Sequence, residues 1–142
     1  MLRKLIADPQ PEAVTEIRNR LLAFNLQHIE DKDPHDFIIR YENDLGEFMA
    51  GICFSIHGEW LNVDFLVVEE DERTQGLGTK LLQDAEALAV EKGCTMSFLT
   101  TFGFQARPFY EKQGYQVVYE QKGYPRSGCK YFMEKWLEVC IN

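Results

Sequence analysis

The sequence predicts an α/β fold, one domain over residues 1–142 with a mixed central sheet of about seven strands flanked by helices. Three observations carry that reading. Residues 61–68, Leu-Asn-Val-Asp-Phe-Leu-Val-Val, form an apolar run rich in β-branched and aromatic side chains, the pattern of a strand buried on both faces. Soon after it, Leu77, Leu81, Leu82, Ala85, Leu88 and Ala89 recur at helical spacing, and Gly93 stands where that helix should stop. Between strand and helix lies Arg73-Thr74-Gln75-Gly76-Leu77-Gly78. Such a glycine turn aims the N–H groups of a helix N-terminus at the carboxyl end of a strand, where an anion is stabilised.

The remaining elements follow in chain order. Residues 2–6 read as a short first strand, ended by Asp8, Pro9 and Pro11. A helix starts at Pro11, a residue suited to a first turn, and carries Val14, Ile17, Leu21, Leu22 and Leu26 on one stripe. Residues 28–34 form a polar loop. Residues 36–42 and 47–57 read as strands joined by Asn43-Asp44-Leu45-Gly46, and a second turn at Gly58 leads into 61–68, giving an antiparallel meander. After Gly93, residues 94–101 form a strand. The helix before it is long enough for a crossover, so 61–68 and 94–101 should be parallel neighbours. A short helix over 106–113 has Pro108 in its first turn and Gly114 at its end. Strands over 115–120 and 131–137 close the chain, with a polar loop between them.

Composition narrows the function. Hydrophobic content of 45% and charged content of 27% are those of an ordinary globular protein. No apolar run reaches the roughly 18 residues of a membrane span, and the N-terminal apolar stretch is too short for a signal peptide. The expectation is a cytoplasmic protein that engages no membrane. Cys53, Cys94, Cys129 and Cys140 are scattered without metal-type spacing, so no metal site is expected. Cys53 and Cys94 fall in apolar runs and read as small core residues. A formal net charge of −8 excludes broad nucleic-acid binding and is compatible with a cationic substrate.

The glycine loop fits neither common nucleotide motif. A dinucleotide fingerprint needs a third glycine where Leu81 stands, and Gly78-Thr79-Lys80 reverses the Walker A order. An R-x-x-G-x-G segment directly behind a strand ending Leu66-Val67-Val68 instead resembles the coenzyme-binding loop of the GNAT N-acetyltransferase superfamily. A second segment, Ala106-Arg107-Pro108-Phe109-Tyr110-Glu111-Lys112-Gln113-Gly114-Tyr115, is similar to that family's A-x-x-F-Y-E-K-x-G-F/Y motif. The likeness in element order covers nearly the whole chain.

That resemblance implies a GNAT-like fold and an acetyltransferase using acetyl-CoA as co-substrate. Arg73, Thr74, Gln75, Gly76, Leu77, Gly78 and Thr79 would hold the pyrophosphate, and the main chain of Leu66, Val67 and Val68 would meet the pantetheine arm and the acetyl carbonyl. Tyr110 would lie near the sulfur and protonate the departing thiolate, against a reading of it as a core aromatic. The acceptor would be a primary amine of a small molecule or protein that attacks directly, and the loop over 28–34 would help wall its site. The chain departs from the family at Gly103, where many members carry an asparagine. Gln105 is a substitute at a different position.

Asp64 is a candidate from its own chemistry. Strict alternation puts it on one face with Asn62, Leu66 and Val68, and a carboxylate in such a run is costly unless paired or used. Desolvation would raise its pKa and suit it to act as a base through a water. A structurally hydrogen-bonded aspartate is the other reading. The acidic run Glu69, Glu70, Asp71 and Glu72 should point to solvent, away from a pyrophosphate. A non-catalytic coenzyme A-binding sensor or interaction module is the alternative function. Tyr110 and Asp64 favour the enzyme and Gly103 the alternative. The acceptor has no residue code. Tyr131, Phe132 and Trp136 suit either a core or pairing with a second copy as a homodimer.

Overall fold

The structure, a computed structural model, describes residues 1–30 and 33–137. Its chain divides into two compact units, Met1–Lys32 and Asp33–Asn142. The first contains α1, Pro11–Asn25, with proline in its first turn and no buried residue. The strand expected over residues 2–6 is not formed: the chain from Met1 to Gln10 has no regular structure, and Leu2, Leu5 and Ile6 are exposed. An extended segment needs a neighbouring strand to take its N–H and C=O groups, and among the described residues no strand pairs with this one.

The second unit holds one six-stranded sheet. Its elements are β1 (His35–Glu42), β2 (Phe48–His57), β3 (Trp60–Val68), α2 (Leu77–Glu91), β4 (Met96–Phe102), α3 (Arg107–Lys112), β5 (Gln116–Lys122) and β6 (Cys129–Trp136). The strand order is β1-β2-β3-β4-β6-β5. Among the described residues only β3 and β4 run parallel, joined by α2 as the crossover. The sheet therefore has six strands rather than the expected seven, the difference being the missing first strand.

Local chemistry sets the turns. Asn43 Oδ1 accepts the N–H groups of Leu45 and Glu47, each at 2.9 Å, and shapes the β1–β2 hairpin. Gly93, with φ +94°, stops α2 by donating its N–H to the Val90 carbonyl. Helix α2 buries Leu81, Leu82, Ala85 and Ala89 in a core shared with Ile52 and Phe54 of β2, Leu61 of β3, Leu99 of β4 and Met133 of β6. Cys94 joins that core, while Cys53 is only half-buried because it alternates with the buried Ile52 and Phe54. Cys140 lies outside the described residues.

Strand β3 departs from the expected double burial. Its partner register to β2 runs Phe54↔Val63 and then Cys53↔Phe65, so Asp64 is an extra residue in a β-bulge. The bulge resets the alternation. Leu61 and Val63 point into the core before it, Leu66 and Val68 pack on the core after it, and Phe65 and Val67 are exposed. Asp64 thus does not share a face with Leu66 and Val68.

The exit from the core at the other end is held by charge. Lys135 of β6 donates to both carboxylate oxygens of Glu86 on α2, at 2.8 and 2.9 Å. Burial raises the Glu86 carboxyl above its ordinary value and Lys135 pulls it part of the way back. Removing the lysine strands the carboxylate. Lys135→Met should cost about 1–3 kcal/mol near pH 7, below the roughly 3–5 of a fully buried pair because the lysine side chain is 25% exposed. With Lys135 gone, the folded-state pKa of Glu86 rises further above its unfolded value. Such a group destabilises only where the unfolded chain is ionised, so the penalty grows as pH rises through the carboxylate range. Melting curves should show the Tm deficit of the variant shrinking as the pH is lowered from about 7 to about 4.5.

Candidate active site

The parallel strands part early. β3 and β4 pair only at Trp60↔Met96, Leu61↔Ser97 and Asn62↔Phe98. Beyond Asn62 the bulge turns β3 away, while β4 stays paired to β6 as far as Phe102. The gap is a cavity of about 510 Å³ walled by residues 63–67 of β3, residues 99–102 of β4, Gln105, Ala106, Tyr110 and Lys130. A second cavity of about 510 Å³ shares Leu66, Val67, Gln105, Ala106 and Tyr110 with it and extends to Val68, Arg73, Gly78 and Phe109. A third, of about 290 Å³, continues over Thr74, Gly76, Leu77 and Thr79. Together they form one trough from the start of α2 to the mouth between β3 and β6.

The α2 end leaves helix N–H groups without a side-chain cap. Gly76, at φ +73°, is the residue before the helix and supplies no side-chain cap, and the first turn contains no acidic residue. The first N–H groups of the helix are therefore left to the trough. Thr74 is held at φ +99°, a region that non-glycine residues rarely adopt. Arg73 Nε donates to the Val68 carbonyl at 3.1 Å, which fixes the guanidinium at the cavity edge. Gln75 is tied to Glu72 by a 2.6 Å hydrogen bond. Glu69, Glu70 and Asp71 are exposed and Glu72 is half-buried, and none lines the trough.

Register decides which main-chain groups face the opening. The Glu69 N–H donates to Met49 of β2 at 2.9 Å. In an antiparallel ladder the inward-bonding residues alternate, so Val67 also bonds toward β2, whereas Leu66 and Val68 turn their N–H and C=O away from it, the Val68 carbonyl being taken by Arg73 and the other three groups facing the open edge. Of the three residues that the family likeness suggests, Leu66 and Val68 offer main-chain groups to the trough. Val67 offers its side chain.

Tyr110 sits where the cavities meet. It is 8% exposed and packs edge-on against Phe109 and Tyr115, with ring centroids 5.1 and 5.9 Å away. Tyr115, deeper, spends its hydroxyl on Ser97 Oγ at 2.7 Å. Among the described residues the Tyr110 hydroxyl has no such partner, and it opens on the cavity. Burial raises its pKa, so the phenol keeps its proton at neutral pH.

Asp64 lies at the other end, exposed on the bulge, where it borders both the cavity between β3 and β4 and a more open pocket containing Asp36 and Phe37 of β1. Its pKa is raised, first by desolvation and then by the negative charge of Asp36. The β4–α3 loop between these poles is pinned by Gln105, whose Oε1 accepts the Phe102 N–H at 2.7 Å. Gly103 is explained by β6. Its N–H donates to the Cys129 carbonyl, and a Cβ there would come within 2.6 Å of Cys129 Sγ. An asparagine at 103 would have to displace that Cys129 side chain. Sequence reasoning missed Lys130 and Phe65 as cavity residues, because nothing in their spacing marks them. The loop over 28–34 includes Asp31 and Lys32, which lie outside the described residues.

Comparison with known proteins settles what family this geometry belongs to. The family model described as "Acetyltransferase (GNAT) family" matches residues 1–115. The chain belongs to the GNAT acetyltransferases. Blasticidin-S acetyltransferase of Streptomyces morookaense is 32% identical over 124 residues, covering 85% of this chain and 91% of that protein. The crystal structure of an acetyltransferase from Bacillus cereus ATCC 14579 superposes with a TM-score of 0.83 at 29% identity, covering 94% of this chain and 98% of that one. A Bacillus anthracis str. Ames structure, solved in complex with acetyl coenzyme A, shares the fold at a TM-score of 0.66 and 18% identity, over 79% of this chain and 67% of its own. The alternation of antiparallel meander, glycine turn and crossover helix is thus a GNAT architecture, and the chain is an acyltransferase by family. No helix among the described residues is long and apolar enough to cross a membrane.

Proposed function

We propose that this GNAT protein transfers the acetyl group of acetyl-CoA to a primary amine by direct attack. The observation that carries the reading is the early parting of β3 and β4. It joins an uncapped helix N-terminus, two open main-chain positions and an unbonded buried phenol in a single trough. The fit to acetyl-CoA is argued from those features. Helix N–H groups at Leu77, Gly78 and Thr79, with Arg73, would hold the pyrophosphate. Leu66 and Val68 would hydrogen-bond the pantetheine arm in the manner of an added strand. When bound, acetyl-CoA supplies an activated acyl group and a thiolate leaving group.

The chain's own groups supply the rest. A main-chain N–H at the open edge of β3 stabilises negative charge on the acetyl oxygen as it develops. Tyr110, protonated and desolvated, gives its proton to sulfur. Asp64, with its raised pKa, takes the amine proton through a water. Asp36 of β1, Cys53 of β2, Tyr110 of α3 and Lys130 of β6 are the other titratable groups lining the cavities that Asp64 borders. The acetyl coenzyme A bound to the Bacillus anthracis relative supports the co-substrate. An unbonded Tyr110 hydroxyl favours catalysis over a non-catalytic coenzyme sensor.

Three measurements test this. Gly76→Asp and Gly76→Asn share the same backbone strain and bulk and differ by one charge, with open space around the new side chain. Titration calorimetry should find acetyl-CoA bound about tenfold more weakly by the aspartate variant than by the asparagine one, the effect of one like charge at a helix N-terminus. Equal affinities would move the pyrophosphate elsewhere.

Tyr110→Phe keeps the ring and its edge contacts. Because the hydroxyl makes no hydrogen bond to lose, Tm should change little, while turnover in a thiol-release assay should fall on the order of 10²–10⁴-fold. Turnover within about threefold of wild type would leave water as the acid.

For Asp64 the pH profile of kcat/KM is the readout. The wild-type profile should rise with pH through a limb lying above the ordinary aspartate value, because desolvation and Asp36 both raise this carboxyl. Asp64→Asn should abolish that limb. Asp36→Asn should shift it to lower pH, since removing the neighbouring negative charge eases ionisation.

A further inference from the structure

The acceptor end of the trough contains a cation that has no ion-pair partner among the described residues. Lys130 is half-buried on β6, opposite Phe102 of β4 in the ladder, and lines the cavity that also borders Asp64 and Tyr110. Its Nζ lies 5.4 Å from the Tyr124 ring centroid and 5.6 Å from that of Phe132. The two rings restrain the ammonium against the cavity wall, and cation–π contact leaves its hydrogen-bond donors unspent. Among the described residues no carboxylate comes within ion-pair distance of it, Asp64 across the cavity included. That is unusual company for a lysine in a chain of net charge −8.

The coenzyme's phosphates do not answer this charge under the acetyl-transfer reading, on which this inference rests. Arg73 and the α2 N-terminus lie in the two cavities at the opposite end of the trough, and Lys130 borders neither. Lys130 instead shares its cavity with Tyr110 and Asp64, where the amine must approach. The cavity thus presents a carboxylate on the β3 wall and an ammonium on the β6 wall. We propose that Lys130 binds a carboxylate of the acceptor, so that the acceptor is a primary amine carrying its own acid group, an amino acid or a compound with an amino-acid-like end. The amine faces Asp64 and the acid group faces Lys130. A polyamine would leave Lys130 opposed by a like charge in a partly desolvated cavity, which disfavours it.

The test uses matched acceptors that differ only at the acid group: each of the common amino acids, its carboxamide and its decarboxylated amine. Full-length protein is assayed by thiol release, and acetyl-CoA affinity is measured by calorimetry on the same preparations. The carboxamide makes the amine easier to deprotonate, so a bias toward the free acid cannot come from amine basicity. Wild type should favour at least one free acid over its carboxamide and its decarboxylated amine by about tenfold or more in kcat/KM, the effect of one charge-assisted contact. Lys130→Met, which keeps the length of the apolar stem, should bring that ratio to near one with acetyl-CoA affinity unchanged. Lys130→Glu should invert it. A wild-type preference for amides or decarboxylated amines, equal rates across each set, no turnover of any free acid, or a ratio that survives Lys130→Met would each overturn the proposal. Loss of acetyl-CoA binding by the wild type would instead overturn the acetyl-transfer reading itself, so the two failures are told apart.

Discussion

The bulge at Asp64 is the constraint on which the rest of the site depends. One extra residue in β3 turns that strand away from β4 after three paired positions. Everything useful follows from the gap. The Leu66 N–H and C=O and the Val68 N–H, which would otherwise bond across the sheet, stay open, while the Val68 carbonyl is used to hold Arg73. The side chain of Tyr110 reaches the cavity from below instead of being sealed by a continuous sheet. The bulge also leaves Asp64 exposed at the mouth and returns Leu66 and Val68 to the core, where unbroken alternation from Leu61 and Val63 would have sent Phe65 and Val67.

The two ends of the trough rely on different physics. At α2, stabilisation comes from fixed backbone dipoles and from a glycine that holds a left-handed conformation without a cap. No mobile charge is required beyond Arg73, and that residue is restrained by the Val68 carbonyl. At the acceptor end, side-chain charges dominate. Asp36, Asp64 and Lys130 come from three different strands, so under the proposed acetyl transfer small changes in sequence there would alter selectivity without touching the end assigned to the coenzyme. A shared fold with unlike acceptors among relatives is the expected outcome of that division.

Neighbouring tyrosines illustrate how burial alone does not assign a role. Tyr110 and Tyr115 are both buried, both packed edge-to-face, and both have raised pKa values because burial penalises the phenolate. Tyr115 satisfies its hydroxyl on Ser97, with Glu86 adding to its shift, and so belongs to the core. Tyr110 has a hydroxyl that no described residue engages. The distinction lies in a single hydrogen bond.

The sequence by itself determined the element order of the second unit, the crossover of α2, the glycine turn and the Tyr110 segment. These are legible because periodicity, caps and turn residues act over a few positions and leave a local record. It overcounted the strands at residues 2–6, since propensity cannot report whether a ladder partner exists. It also read β3 as regular and doubly buried, because a bulge leaves no mark in composition and only the register against β2 reveals it. The close approach at Gly103, where a Cβ would require the Cys129 side chain to move, was equally hidden, because Cys129 lies on a different strand. Lys130 became a site residue only when β6 was set beside β4. Contacts between residues distant in the chain depend on how strands are aligned and where they part, and that is decided by the tertiary structure.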